Sequence, residues 1–286
     1  MTPEQYAATH AVITASVGQH VLALSKLVMR PVLTPFDWVN FLRALFPEVQ
    51  RQYAEAAALA RDFYDSEREL HHPELPRNER LLSELQFDWF VQNMEPARKG
   101  MSQADSPQKA ATKLALMTIR EVEMAGRRQT IGAVKNDPAP QTVKGWARVA
   151  TGRETCAWCL MLISRGPTYL GATTSGLDLD DTSAAESFRK AGGDLTKFRD
   201  DVEEYMEEWH TGCDCLVVPV FDRANWPGLD AQKRAEQLWI DATREAQERI
   251  DSGKARSDNL NKETQNALRR RLERGDLSMT NYAFAA

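Results

Sequence analysis

The clearest chemical signal in this 286-residue chain is a set of four cysteines and one histidine. Cys156 and Cys159 are separated by two residues, and after fifty more come His210, Cys213 and Cys215. Thiolates and imidazole are the ligands zinc prefers, four to an ion in a tetrahedron, and a two-residue spacing lets one backbone turn present both sulfurs. The pattern therefore predicts a structural zinc drawn from Cys156, Cys159, His210, Cys213 and Cys215. Five candidates exceed four positions, so one is expected to be a bystander. Cys215 has the weakest claim, because it runs directly into the apolar stretch Leu216–Phe221 and could simply be buried there. An ion held by two distant segments would staple a small, loop-rich unit that lacks a large apolar core.

The same residues allow other chemistry. Four cysteines could pair as disulfides, but nothing at the N-terminus reads as an export signal, and reducing compartments keep thiols free. A cysteine protease could use Cys156 or Cys159 as nucleophile and His210 as base, oriented by Glu207, Glu208 or Asp214. That use requires a thiol not committed to a metal. The Gly-x-Ser-x-Gly elbow and the His-Glu-x-x-His metallohydrolase motif are both absent from the sequence. His10, His20, His71 and His72 read as surface or packing residues. Trp158 and Trp209 flank the cluster and read as aromatic cover that keeps water from it.

Arg269, Arg270, Arg271 and Arg274, with Lys254, Arg256 and Lys262 nearby, could touch nucleic-acid phosphates. Acidic residues are interleaved with them, so a solvated helix face is the plainer reading. The formal net charge is -5. The acidic excess lies in residues 137–222, and a globally basic nucleic-acid binder is not indicated.

The elements that must position these residues follow from periodicity. With 42% hydrophobic and 27% charged residues the chain has globular composition, and its length suggests about two domains. Its apolar runs fall far short of the roughly 20 residues a membrane helix needs. Apolar positions recur at helical intervals over residues 3–29. Further helices are expected from about Asp37 to Glu69, with a kink or break at Pro47, from about Asn78 to Met94, and from about Pro107 to Lys135 behind a Ser106 cap. Residues 137–140, Asp-Pro-Ala-Pro, read as a linker. A strand is expected over Val143–Thr151, a short helix over Thr155–Ser164, and an exposed loop over Leu170–Asp181. Helices are expected over Ser183–Ala191 and Thr196–Trp209. Leu216–Phe221 reads as a strand that Pro219 confines to a sheet edge. Helix returns over residues 229–274, and the last dozen residues read as a tail. The expected fold class is mainly α with a small α+β module: a helical bundle or arm over 1–136, a Cys/His-stapled module over 137–222, and C-terminal helices and tail over 223–286.

Taken together, these residues resemble the MuF-like minor capsid, or head morphogenesis, proteins of tailed bacteriophages. Their mark is a Cys-x-x-Cys turn and a later His-x-x-Cys-x-Cys, matched here by Cys156, Cys159, His210, Cys213 and Cys215. The branch found in actinobacterial phages is closer. Its pattern includes Arg148-Val149-Ala150, the run Cys156 to Leu162, Ser164-Arg165-Gly166 and Tyr169. The opening Met1 to Ala7 and the run Leu45 to Gln50 are similar to that branch too. The resemblance implies a virion protein of the capsid interior near the portal, assembled in the host cytoplasm. Its implied partners are the portal protein, the major capsid protein or scaffold, with no membrane in the assembled head, and the arginine run adds packaged DNA as a candidate contact. Proteins of this branch are often labelled capsid maturation proteases, which is the alternative activity the resemblance implies.

Overall fold

The computed structural model describes residues 1–28, 33–78, 84–101, 107–153, 155–167, 186, 188–194, 197, 209 and 211–285. The chain divides into two compact units, Met1–Pro138 and Ala139–Ala286. The architecture is mainly α with a small α+β module, as the periodicity predicts.

The first unit contains α1 (Pro3–Val28), α2 (Pro35–His71), α3 (Phe87–Met101) and α4 (Pro107–Lys135). Thr34 starts α2: its hydroxyl accepts the Asp37 N–H at 3.1 Å, and Pro35 occupies the first turn, where its missing N–H costs nothing. Pro47 lies inside α2 and does not end it. Leu42, Leu45, Val49 and Tyr53 are buried on either side of the proline, and this packing offsets the hydrogen bond it removes. The third helix begins at Phe87, not near Asn78. Asn78 is instead buried outside any helix, just after Pro76, whose carbonyl accepts from Arg68.

Helix α4 is the core of this unit. Every residue from 121 to 127 is buried, including Glu121, Glu123 and Arg127. Glu123 and Arg127 pair at 3.1 Å one turn apart, which keeps both charges compensated. Tyr6 stacks on Phe63 with ring centroids 4.5 Å apart, and His10 meets Tyr6 edge-on at 6.3 Å, a packing role. Asp137 does not behave as a linker residue. Its buried carboxylate takes Arg68 Nε at 2.8 Å and the Tyr64 hydroxyl, locking the end of α4 onto α2.

The second unit joins β1 (Gly145–Val149), α5 (Ala157–Ser164), β2 (Leu216–Val220), α6 (Leu229–Asp251), α7 (Leu260–Glu273) and a 3₁₀ turn, Met279–Tyr282. β1 and β2 form a two-stranded antiparallel sheet in which every residue is buried. Pro219 sits opposite Trp146, tolerated because a two-stranded sheet leaves each strand one unpaired side. Helix α5 is apolar nearly all round and packs against α6 and α7, which explains its burial. Residues 188–190 are helical. The expected loop at Leu170–Asp181 and nearly all of the expected Thr196–Trp209 helix fall outside the described residues, as does Ser106.

The C-terminal residues are not a loose tail. Tyr282 and Phe284 are buried, Ala283 bridges Ala150, and the Phe284 N–H donates to the Ala150 carbonyl at 3.0 Å. Gly228, at φ +101°, makes room for this strap: a Cβ there would lie 2.7 Å from Val149 Cγ1 and 3.2 Å from Phe284 Cβ. The sheet, α5 and the C-terminal helices lie within the unit Ala139–Ala286. No described helix is long and apolar enough to cross a membrane.

Candidate metal centre

Strand pairing brings the two cysteine segments together. Val149 lies opposite Leu216, so the chain leaving β1 and the chain entering β2 meet at one end of the sheet.

Asp214 then sets the local geometry. It is buried, and its carboxylate accepts the Thr151 hydroxyl at 2.7 Å, the Arg153 N–H at 3.1 Å and the Thr155 hydroxyl at 3.4 Å. These bonds hold Thr151, Arg153 and Thr155 against the 213–215 segment just ahead of α5. Cys156 is the N-cap of α5, its sulfur accepting the Cys159 N–H at 3.4 Å. Cys159 lies in the first turn of α5 and reaches the opposite segment, its sulfur 3.4 Å from that of Cys213.

The sulfurs of Cys159, Cys213 and Cys215 lie within 4.8 Å of one another, and all three residues are buried. No disulfide joins the four cysteines. Zn–S bonds of about 2.3 Å in a tetrahedron place sulfurs about 3.8 Å apart, within the range seen here, so the donor set fits zinc. Cys156, half-buried at the start of α5, lies outside this group of three sulfurs.

Cys215 is thus inside the cluster, where the sequence made it the expected bystander. The signal that could have shown this is the spacing itself. In near-extended chain entering a strand, residues i and i+2 share a face. Cys213 and Cys215 turn to Cys159, while Asp214 between them turns to the loop. His210, Glu207 and Glu208 lie outside the described residues.

The Cys159 and Cys215 thiols are shifted away from activation as nucleophiles. Hydrogen bonding among the Cys156, Cys213 and Cys215 sulfurs pushes the Cys159 thiol up, and burial pushes Cys215 up. A catalytic cysteine needs the opposite shift. A divalent ion would provide the positive charge that lets such thiols ionise together. Trp209 is buried beneath the guanidinium of buried Arg148, 3.5 Å from its ring centroid, a cation–π contact that anchors this residue to β1. Trp158 is half-buried beside the cluster.

The C-terminal arginines serve mainly to join helices. Arg270 and Arg271 of α7 both pair with Glu245 of α6, at 2.7 and 3.1 Å. Arg274 pairs with Asp276, and Arg269 donates to Asn266 at 3.0 Å. The run is therefore not a uniform free cationic face.

Fold and site together define a two-unit chain whose second unit is drawn together by cysteines from distant segments. The chain belongs to the VG15 protein family, whose model matches residues 2–242, spanning the first unit and the cysteine cluster. It is a phage protein. It is 68% identical to the Gene 15 protein of Mycobacterium phage D29 over 274 residues, which cover 96% of this chain and 100% of that relative. It is 62% identical to the Gene 15 protein of Mycobacterium phage L5 over 294 aligned positions, covering 100% of both. No solved structure matches the chain.

Proposed function

We propose that this phage protein is a structural minor capsid protein of the MuF-like kind. In this reading it acts in the capsid interior near the portal, and it contacts portal, major capsid protein or scaffold during assembly in the host cytoplasm. The observation that carries the reading is the closed character of the cysteine cluster. Three sulfurs are buried, and the carboxylate between them is occupied by loop donors. That arrangement suits a staple, whereas a maturation protease needs an accessible, ionisable thiol with a base beside it.

In the same proposal Cys159, Cys213 and Cys215 hold zinc, with Cys156 or His210 as the fourth ligand. The ion would supply a tetrahedral cross-link between the start of α5 and the entry to β2. Asp214 aligns the two ligand segments, Cys156 caps the helix that carries Cys159, and Arg148 keeps Trp209 in place.

A phage lacking this gene, complemented with the wild-type chain or Cys213→Ser, tests the reading. Quantitative mass spectrometry of purified heads should find the wild-type chain and lose the variant, with the major capsid protein of the same mass in both. Normal heads without the chain would overturn a capsid role. Cleavage of capsid or scaffold protein that depends on a cysteine would replace the structural role with the protease.

A further inference from the structure

In the second unit the last turn of α6, the connection after it and one side of α7 enclose a cavity of about 310 Å³. Four guanidinium groups line it: Arg249 of α6, Arg256 of the connection, and Arg269 and Arg270 of α7. Two carboxylates and one amide complete the wall, from Glu263, Glu273 and Asn266. Glu263 is 1% exposed and takes the Asn266 amide at 3.1 Å, so it is turned into the helix pair. Glu273 is exposed. Arg249 donates one terminal nitrogen to the Lys254 carbonyl at 2.9 Å, while its Nε is buried with no acceptor among the described residues. Arg270 is already paired with Glu245 outside the lining, so Arg249, Arg256 and Arg269 stand against Glu263 and Glu273, a small positive excess in a chain of net charge -5.

Guanidinium groups that converge on one small space repel each other unless an anion joins them. A carboxylate offers two oxygens and satisfies one arginine fork, whereas a phosphate offers more oxygens and can bridge several. The volume lies at the low end for ligand cavities, roughly 300–1,000 Å³. The lining has no aromatic or aliphatic side chain, so nothing there could stack a base. A backbone phosphate fits these constraints, and base reading does not.

We propose that this cavity binds a phosphate of the DNA backbone, independent of sequence. The choice of DNA as the source rests on the proposed place in the head; the phosphate chemistry rests on the cavity alone. Arg271 and Arg274, which the sequence grouped with Arg269 and Arg270, do not line it.

The test is fluorescence anisotropy of the full chain with a labelled duplex across a salt series. Three proteins are compared: wild type, Arg256→Gln/Arg269→Gln, and a charge-matched control, Arg223→Gln/Arg274→Gln. All four positions are exposed, so folding should be retained, and circular dichroism checks this. The cavity variant should lose about tenfold or more in affinity near 50 mM salt, and its log–log salt slope should fall by about 2. The control should match wild type. Inorganic phosphate at matched ionic strength should compete with the duplex. Equal losses in both double variants would assign any binding to the overall field and overturn the site, as would a wild type that does not bind. Phosphate binding without competition against DNA would leave only a small-anion site. Equally tight binding of polyglutamate would assign the cavity to an acidic protein. The last two outcomes each overturn the DNA assignment. The measurement uses isolated protein, so its failure leaves the virion test above intact.

Discussion

Asp214 sits between two cluster cysteines without being a ligand, and its removal should expose how the site is built. Its carboxylate accepts two well-formed hydrogen bonds, at 2.7 Å from Thr151 and 3.1 Å from Arg153, and longer ones at 3.4 Å from Thr155. Hydrogen bonds to a charged group contribute about 1.5–3 kcal/mol each, and neighbours in one network are not additive. Thr151 is partly exposed and can turn to water, which lowers the loss. Asp214→Ala should therefore destabilise the second unit by about 3–4 kcal/mol. Asp214→Asn keeps one acceptor oxygen but points an amide donor at other donors, and should cost roughly half as much. Residues that orient ligands typically change metal affinity by about 10–100-fold, so zinc binding should weaken by that factor in Asp214→Ala. Urea unfolding followed by tryptophan fluorescence, with zinc saturating and with chelator, reads both effects. The chain divides into two compact units, so the change is expected on the transition that reports the second. If Asp214→Ala unfolds like the surface variant Arg223→Ala and keeps wild-type zinc affinity, the positioning role is wrong.

Other perturbations follow from the same structure. Burial pushes the Glu67 carboxyl up from its ordinary 4.5 to about 7. The unfolded chain loses this proton first, so its contribution to stability is full below about 4.5 and is lost as pH rises through about 7, roughly 3 kcal/mol in all. Glu67→Gln should flatten that slope in urea titrations between those pH values; an unchanged slope would place the dependence elsewhere. Asp137→Ala leaves Arg68 buried without its carboxylate and should cost about 3–5 kcal/mol in the first unit, measured by denaturant unfolding. Gly228→Ala combines a strained positive φ with the contact to Val149, and should cost about 2–4 kcal/mol while increasing hydrogen exchange at the Phe284 amide.

Much of the fold was legible because long helices announce themselves by period. The bounds of α1 and α4 and the ends of α2 follow the apolar stripe and the punctuation by Thr34, Pro35 and Pro73. The failures have physical causes. Pro47 reads as a breaker locally, but burial of Leu45 and Val49 outweighs one lost hydrogen bond. The last residues, ending Tyr282-Ala283-Phe284-Ala285-Ala286, carry no periodic signal, because a strap that docks through two aromatics and one bridge has none. The cysteine cluster was legible as a set, since residue type and spacing define its chemistry. The place of Cys215 was not, because its apolar neighbours Leu216–Phe221 signal burial without showing which face of the chain it shares with Cys213. The role of Asp214 was also missed, since its donors lie about sixty residues away and only the β1–β2 register joins them. The arginine cavity was partly visible as a basic run. The sequence could not show that Arg249 and Arg256 belong to it while Arg271 turns to Glu245.

The most direct test of the central claim is zinc per chain, by elemental mass spectrometry, on protein purified under reducing conditions, with reactive thiols counted in the same sample before and after chelation. A metal staple predicts about one zinc per chain, thiols masked until the ion is removed, and a second unit that melts earlier without it. Metal-free protein with one highly reactive thiol and unchanged melting in chelator would contradict the staple and return the cysteines to catalysis.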